Sequence, residues 1–128
     1  MYQAYLLLQP STDFTFEAAQ QKLAAKFPKL IPARAGDELT FTGDDWDFYL
    51  RLNAGPEVLA DSEKFAEQIA GDNAEEGRVM ATIDRRVEIG SDVPDPEMDH
   101  FEDYLTLLDT LRSFHGIIAI DPSEPSLL

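Results

Sequence analysis

The sequence predicts an α/β fold, a mainly antiparallel sheet covered by amphipathic helices in a two-layer sandwich. Three observations lead there. Apolar residues recur at spacings of three and four in segments near 14–27, 57–70 and 100–114, the period of a half-buried helix. Segments between them alternate apolar with polar, most cleanly at 46–53, where Trp46, Phe48, Leu50 and Leu52 interleave with Asp47, Tyr49, Arg51 and Asn53. A length of 128 residues without repeats or low-complexity tracts suits one domain over 1–128 with one core.

The elements follow in order. Residues 2–9 read as a strand, and Tyr5-Leu6-Leu7-Leu8, apolar on both faces, suits a central position. Pro10 and Ser11 stop it. Thr12 or Asp13 is placed to cap a helix over 14–27 whose buried stripe is Phe16, Ala19, Leu23 and Phe27, and Pro28 ends that helix. Lys29 to Ile31 read as a short edge segment. Residues 38–42 form a strand, and Gly43-Asp44-Asp45 turns it into a hairpin with 46–53. Gly55-Pro56 opens a helix over 57–70, with Asp61 or Ser62 as alternative starts, Leu59, Ser62, Phe65, Ala66 and Ile69 as its apolar side and Gly71 as its stop.

Residues 72–77 read as a polar linker. Residues 78–89 alternate again, with Val79, Ala81, Ile83, Val87 and Ile89 against Arg78, Met80, Thr82, Asp84, Arg86 and Glu88, which predicts one strand or two. Arg85 falls on the apolar side, so a bend near Asp84, a bulge that resets the register, or an Arg85 that reaches a carboxylate at the rim is expected. A loop over 90–98 leads to Asp99 and Glu102, which have capping-box spacing with Asp99 as the cap. Phe101, Tyr104, Leu105, Leu108, Leu111 and Phe114 make the third helical stripe, Gly116 ends it, and 117–120 form a last strand before a short tail.

The first six elements, βαββαβ over about 2–89, resemble the ferredoxin-like order, with an extra C-terminal helix and strand beyond them. Right-handed crossovers place the first two helices on one side of the sheet. The third helix joins that layer or covers the opposite face. On that opposite face Tyr5, Tyr49, Arg51 and Met80 are expected to point outward, beneath the tail, the third helix, a second copy of the chain or a ligand.

Charge dominates the functional reading. There are 25 acids against 10 bases, a formal net charge of -15, and no cysteine. Disulfides, thiolate metal sites and cysteine nucleophiles are excluded. A phosphate-backbone binder needs the opposite field, so no nucleic-acid partner is expected. The apolar runs are too short for a membrane helix and the amino terminus lacks a signal-peptide pattern, so a cytoplasmic protein without a membrane partner is expected.

The sequence offers no motif that assembles a catalytic, metal or cofactor site; G-x-S-x-G and EF-hand spacings are missing. His100 sits in the first turn of the third helix and His115 at its end. Carboxylates crowd 91–103 as Asp92, Asp95, Glu97, Asp99, Glu102 and Asp103, and a smaller group, Asp44, Asp45 and Asp47, sits in the hairpin turn. The leading expectation is a non-catalytic interaction module whose acidic surface meets a basic protein, as in an inhibitor or immunity protein for a basic nuclease toxin. Asp44, Asp45, Asp47, Asp92, Asp95, Glu97, Glu102 and Asp103 are the contact candidates. The alternatives are a small metal-assisted hydrolase built on 91–103 with His100, and a structural accessory domain that forms a homodimer.

Overall fold

A computed structural model of the protein describes residues 2–70 and 74–128. The strands are β1 (Tyr2–Leu8), β2 (Ile31–Ala35), β3 (Glu38–Thr42), β4 (Asp47–Ala54), β5 (Arg85–Ser91), β6 (Ile117–Asp121) and β7 (Ser126–Leu127). The helices are α1 (Phe16–Lys26), α2 (Pro56–Phe65), α3 (Ala74–Ala81) and α4 (Phe101–Arg112). All seven strands join one antiparallel sheet in the order β2-β3-β4-β5-β1-β6-β7.

This is a mixed α/β fold with a ferredoxin-like core and additional C-terminal elements. The strand order shows how the core closes. β1 and β4 run parallel with β5 between them and are joined through α1; β5 and β6 run parallel with β1 between them and are joined through α4. The C-terminal helix and β6 thereby complete the split βαβ pair, the β2–β3 hairpin between α1 and β4 extends one edge, and β7 extends the other.

The layers follow from side-chain alternation. Ala4, Leu6 and Leu8 of β1, Leu39 and Phe41 of β3, Phe48 and Leu50 of β4, and Val87 and Ile89 of β5 pack against Phe16, Ala19 and Leu23 of α1 and Tyr104, Leu107, Leu108 and Leu111 of α4. Thr15 caps α1, its hydroxyl accepting from Ala18 N at 3.1 Å, in place of Thr12 or Asp13. Thr12 instead accepts from Phe14 N, and Asp13 from His115 N.

The second helix does not share a side with the first. α2 connects adjacent antiparallel strands, β4 and β5, so the handedness rule for parallel crossovers does not bind it. It starts at Pro56, continues as a π-helical turn over Ala66–Ala70, and lies with α3 over the opposite face. Gly71, expected to end it, lies outside the described residues, as do the first two residues of the expected 72–77 linker.

The remainder of that linker and the first part of the expected 78–89 strand form α3, and this is the main correction to the sequence reading. Met80 is therefore not an outward sheet residue. It is a fully buried helical side chain in a second core with Leu7, Ala66, Ile83 and Ile120. The Arg85 anomaly disappears as well, because the strand begins at Arg85 and needs neither bend nor bulge. Tyr5 is covered by Phe65, whose ring meets it edge-on at 6.1 Å, and by the Arg86 guanidinium at 4.1 Å. This face is thus covered over β1 and β6 by α2 and α3, not by the tail or by α4, the helix expected over 100–114. Tyr49 and Arg51 stand on its uncovered part, where Arg51 bonds Glu38 at 3.0 Å.

Gly116 anchors the α4–β6 connection. Its φ is +72°, and an added Cβ would stand 2.9 Å from Thr12 Cα and 3.0 Å from Thr12 N. Gly116→Ala is expected to lose about 1–3 kcal/mol through left-handed strain and backbone crowding. A lowered urea midpoint checks this, and an unchanged one refutes it.

Candidate functional site

The turn between β3 and β4 and the segment after β5 emerge at the same end of the sheet, because β4 and β5 are neighbours. This brings together two acidic groups that are about fifty residues apart in sequence. His100 joins them. Its ring stacks on Trp46 at 5.3 Å and 6°, its Nδ1 lies 3.0 Å from Asp103 Oδ2, and its Nε2 lies 3.7 Å from Asp45 Oδ2.

The loop before α4 is organised by Asp95, not by Asp99. Asp95 Oδ1 accepts from Asp99 N and Oδ2 from His100 N, each at 3.0 Å, and the Tyr2 hydroxyl donates to Oδ2. Pro94 and Pro96 flank Asp95, and a carboxylate four residues ahead reaches the free N–H groups first. Asp99 is exposed and makes no cap, and α4 starts after His100 without a side-chain cap. The bond from Tyr2, with the two backbone N–H groups, holds the Asp95 carboxyl below its usual range; the same bond, with partial burial, pushes the Tyr2 phenol up to about 12.

The remaining acids spread outward. Asp44, Asp92, Glu97 and Glu102 are exposed, while Asp47, Asp95 and Asp103 are half-buried. Among the described residues, arginines pair with Glu38, Asp61 and Glu88, all away from this end. Also among the described residues, no three His, Cys, Asp or Glu side chains are grouped to hold a metal ion, so the hydrolase alternative has no assembled centre there.

Three exposed apolar side chains lie along the acidic segment, two of them misplaced by the sequence reading. Phe101 and Leu105 were expected in the buried stripe but are 37% and 42% exposed; Leu107 takes the buried position instead. Met98, one turn before Phe101 and with φ of 57°, is 56% exposed. A non-glycine residue in left-handed backbone is uncommon, and here it leaves a large apolar side chain in solvent. The i, i+4 spacing of Phe101 and Leu105 was the available signal.

Beside His100 a cavity of about 350 Å³ opens between the exit of α1, the β3–β4 turn and the start of α4. Lys26 and Lys29 border it from the end of α1 and the residues after it, Asp44 and Asp45 from the turn, and His100 and Asp103 from the N-cap and first turn of α4. Phe27, Leu30 and Trp46 give it an apolar lining. His115, at the far end of α4, is exposed and distant in sequence from this cluster.

The hydrogen bond from His100 Nδ1 to the Asp103 carboxylate, with the nearby charges of Asp45 and Asp95, raises the His100 imidazole above its ordinary value against a smaller opposing effect of burial. A raised folded-state value means that the stabilisation is complete below the ordinary imidazole range and is lost as pH rises through the elevated value. Urea midpoints taken from about pH 5.5 to 8.5 are expected to fall with rising pH, and this decline should be shallower in His100→Gln. Identical profiles would refute the pairing.

No protein-family model, curated protein or solved structure matches the chain. Among the described residues, no helix is long and apolar enough to cross a membrane.

Proposed function

We propose that the protein is a non-catalytic interaction module that docks a basic protein partner on the acidic end of its sheet. The supporting observation is the exposure of Met98, Phe101 and Leu105 on the same stretch of chain that carries Asp99, Glu102 and Asp103, whose start meets the Asp44–Asp47 turn through His100 and Asp45. Stable interfaces pair a desolvated apolar centre with a polar rim, and complementary charge speeds encounter and rejects wrong partners. Solubility alone would be served by charge without exposed apolar groups beside it. Inhibition of a basic enzyme, including a nuclease toxin, is one activity such a surface would serve, and the cytoplasm is the compartment consistent with the sequence.

The test is low-salt capture from the source cell by three immobilised proteins. The native chain is expected to retain a basic protein that salt releases. Phe101→Ser with Leu105→Ser and Glu102→Gln should lose it, and Asp37→Asn with Glu57→Gln, which removes exposed charge elsewhere, should keep it. Equal retention by all three, or none by the native chain, would overturn the proposal.

A further inference from the structure

We infer that the cavity beside His100 is a binding site for a small zwitterion of dipeptide size, with its ammonium held by the β3–β4 turn and its carboxylate by the exit of α1. The cavity carries opposite charges on separate walls: Lys26 and Lys29 on one, Asp44 and Asp45 on another. Among the described residues, neither lysine takes part in an ion pair with an acid, so these walls are not neutralised by each other. Such an arrangement suits a ligand that carries both charges and disfavours one that carries either alone.

The lining adds two constraints. Trp46 is only 3% exposed and borders the cavity, and its indole Nε1 is buried without a hydrogen-bond partner. His100 stacks on its ring and Nε1 has no accessible surface toward the cavity, so Trp46 offers a ligand apolar contact only. Phe27 and Leu30 offer apolar contact to the body of the ligand. The volume of about 350 Å³ corresponds to a cube roughly 7 Å on edge, the span of about two extended residues.

The chain has a single tryptophan, so its fluorescence reports on this cavity alone. The probes are alanyl-leucine, its N-acetyl form and its C-terminal amide, titrated to about 10 mM, a range that detects weak affinity. Alanyl-leucine is expected to shift the emission saturably, and blocking either terminus should weaken binding about tenfold or more, roughly the worth of one lost charge contact. In Lys26→Gln with Lys29→Gln the amide should bind as well as the parent dipeptide; in Asp44→Asn with Asp45→Asn the acetylated form should. Circular dichroism confirms that these surface variants are folded, and calorimetry supplies a second readout. No saturable binding, or equal binding of all three probes to the native chain, would overturn the inference. The capture experiment reads Phe101 and Leu105 instead, so the two readings fail independently.

Discussion

Phe48→Ala is expected to lower stability by about 3–5 kcal/mol, the largest effect of any single truncation considered. Phe48 is fully buried at the centre of an aromatic cluster. It stacks on Phe41 at 5.0 Å, meets Phe27 edge-on at 5.3 Å, and contacts Trp46 at 5.4 Å. Its removal deletes a large apolar surface and leaves a cavity that neighbours on a strand, a turn and a helix exit cannot fill together. The same cluster seats Trp46 beneath His100, so the His100 ring should lose its stacking partner as well. Equilibrium denaturation checks the energy, and a cost below about 1 kcal/mol would mean that this core is not packed as described.

Met80→Ala is expected to cost about 2–5 kcal/mol. Met80 holds α3 against the outer sheet face through Leu7, Ala66, Ile83 and Ile120. The strand reading of 78–89 predicts a different outcome, since it sets Met80 on a face shared with charged Arg78, Asp84 and Glu88. Truncation there would change stability by no more than about 0.5 kcal/mol. The measurement therefore separates a helix over Ala74–Ala81 from a strand through the same residues.

What the sequence revealed and what it concealed follow from the range of the forces involved. The β3–β4 hairpin, α1 and α4 were legible because each carries its own period and punctuation: Gly43-Asp44-Asp45 at the turn, Pro28 after α1, Gly116 after α4. α3 was not, because Val79, Met80 and Ala81 fit either period and the deciding interaction is tertiary. The outward apolar residues of β1 and β6, Leu7, Ile118 and Ile120, need a cover, and Met80 and Ile83 provide it only from a helix and the turn after it. The sequence showed an outer face too apolar to be left wet, but not which segment folds over it.

At the candidate site, the acidic residues were visible as composition, and their convergence was not. Asp45 and Asp103 reach the same imidazole only because β4 and β5 are adjacent, a pairing made across α2 and α3. Asp95 displaced Asp99 as the acceptor of the free N–H groups because the preceding loop folds back on itself, which spacing alone does not show. Phe101 and Leu105 were assigned inward because they extend an apolar stripe; the helix is turned so that Leu107 takes the inner position and leaves them among carboxylates.

One junction, His100 against Trp46, unites the two acidic segments and bounds the cavity. Trp46 emission followed against pH tests it directly, because a protonated imidazole stacked on an indole quenches it. The emission is expected to rise as pH increases through an inflection above the ordinary imidazole value, and His100→Gln should abolish that inflection while His115→Gln leaves it in place. An inflection that survives His100→Gln, or emission that does not change between about pH 5.5 and 8.5, would contradict the junction.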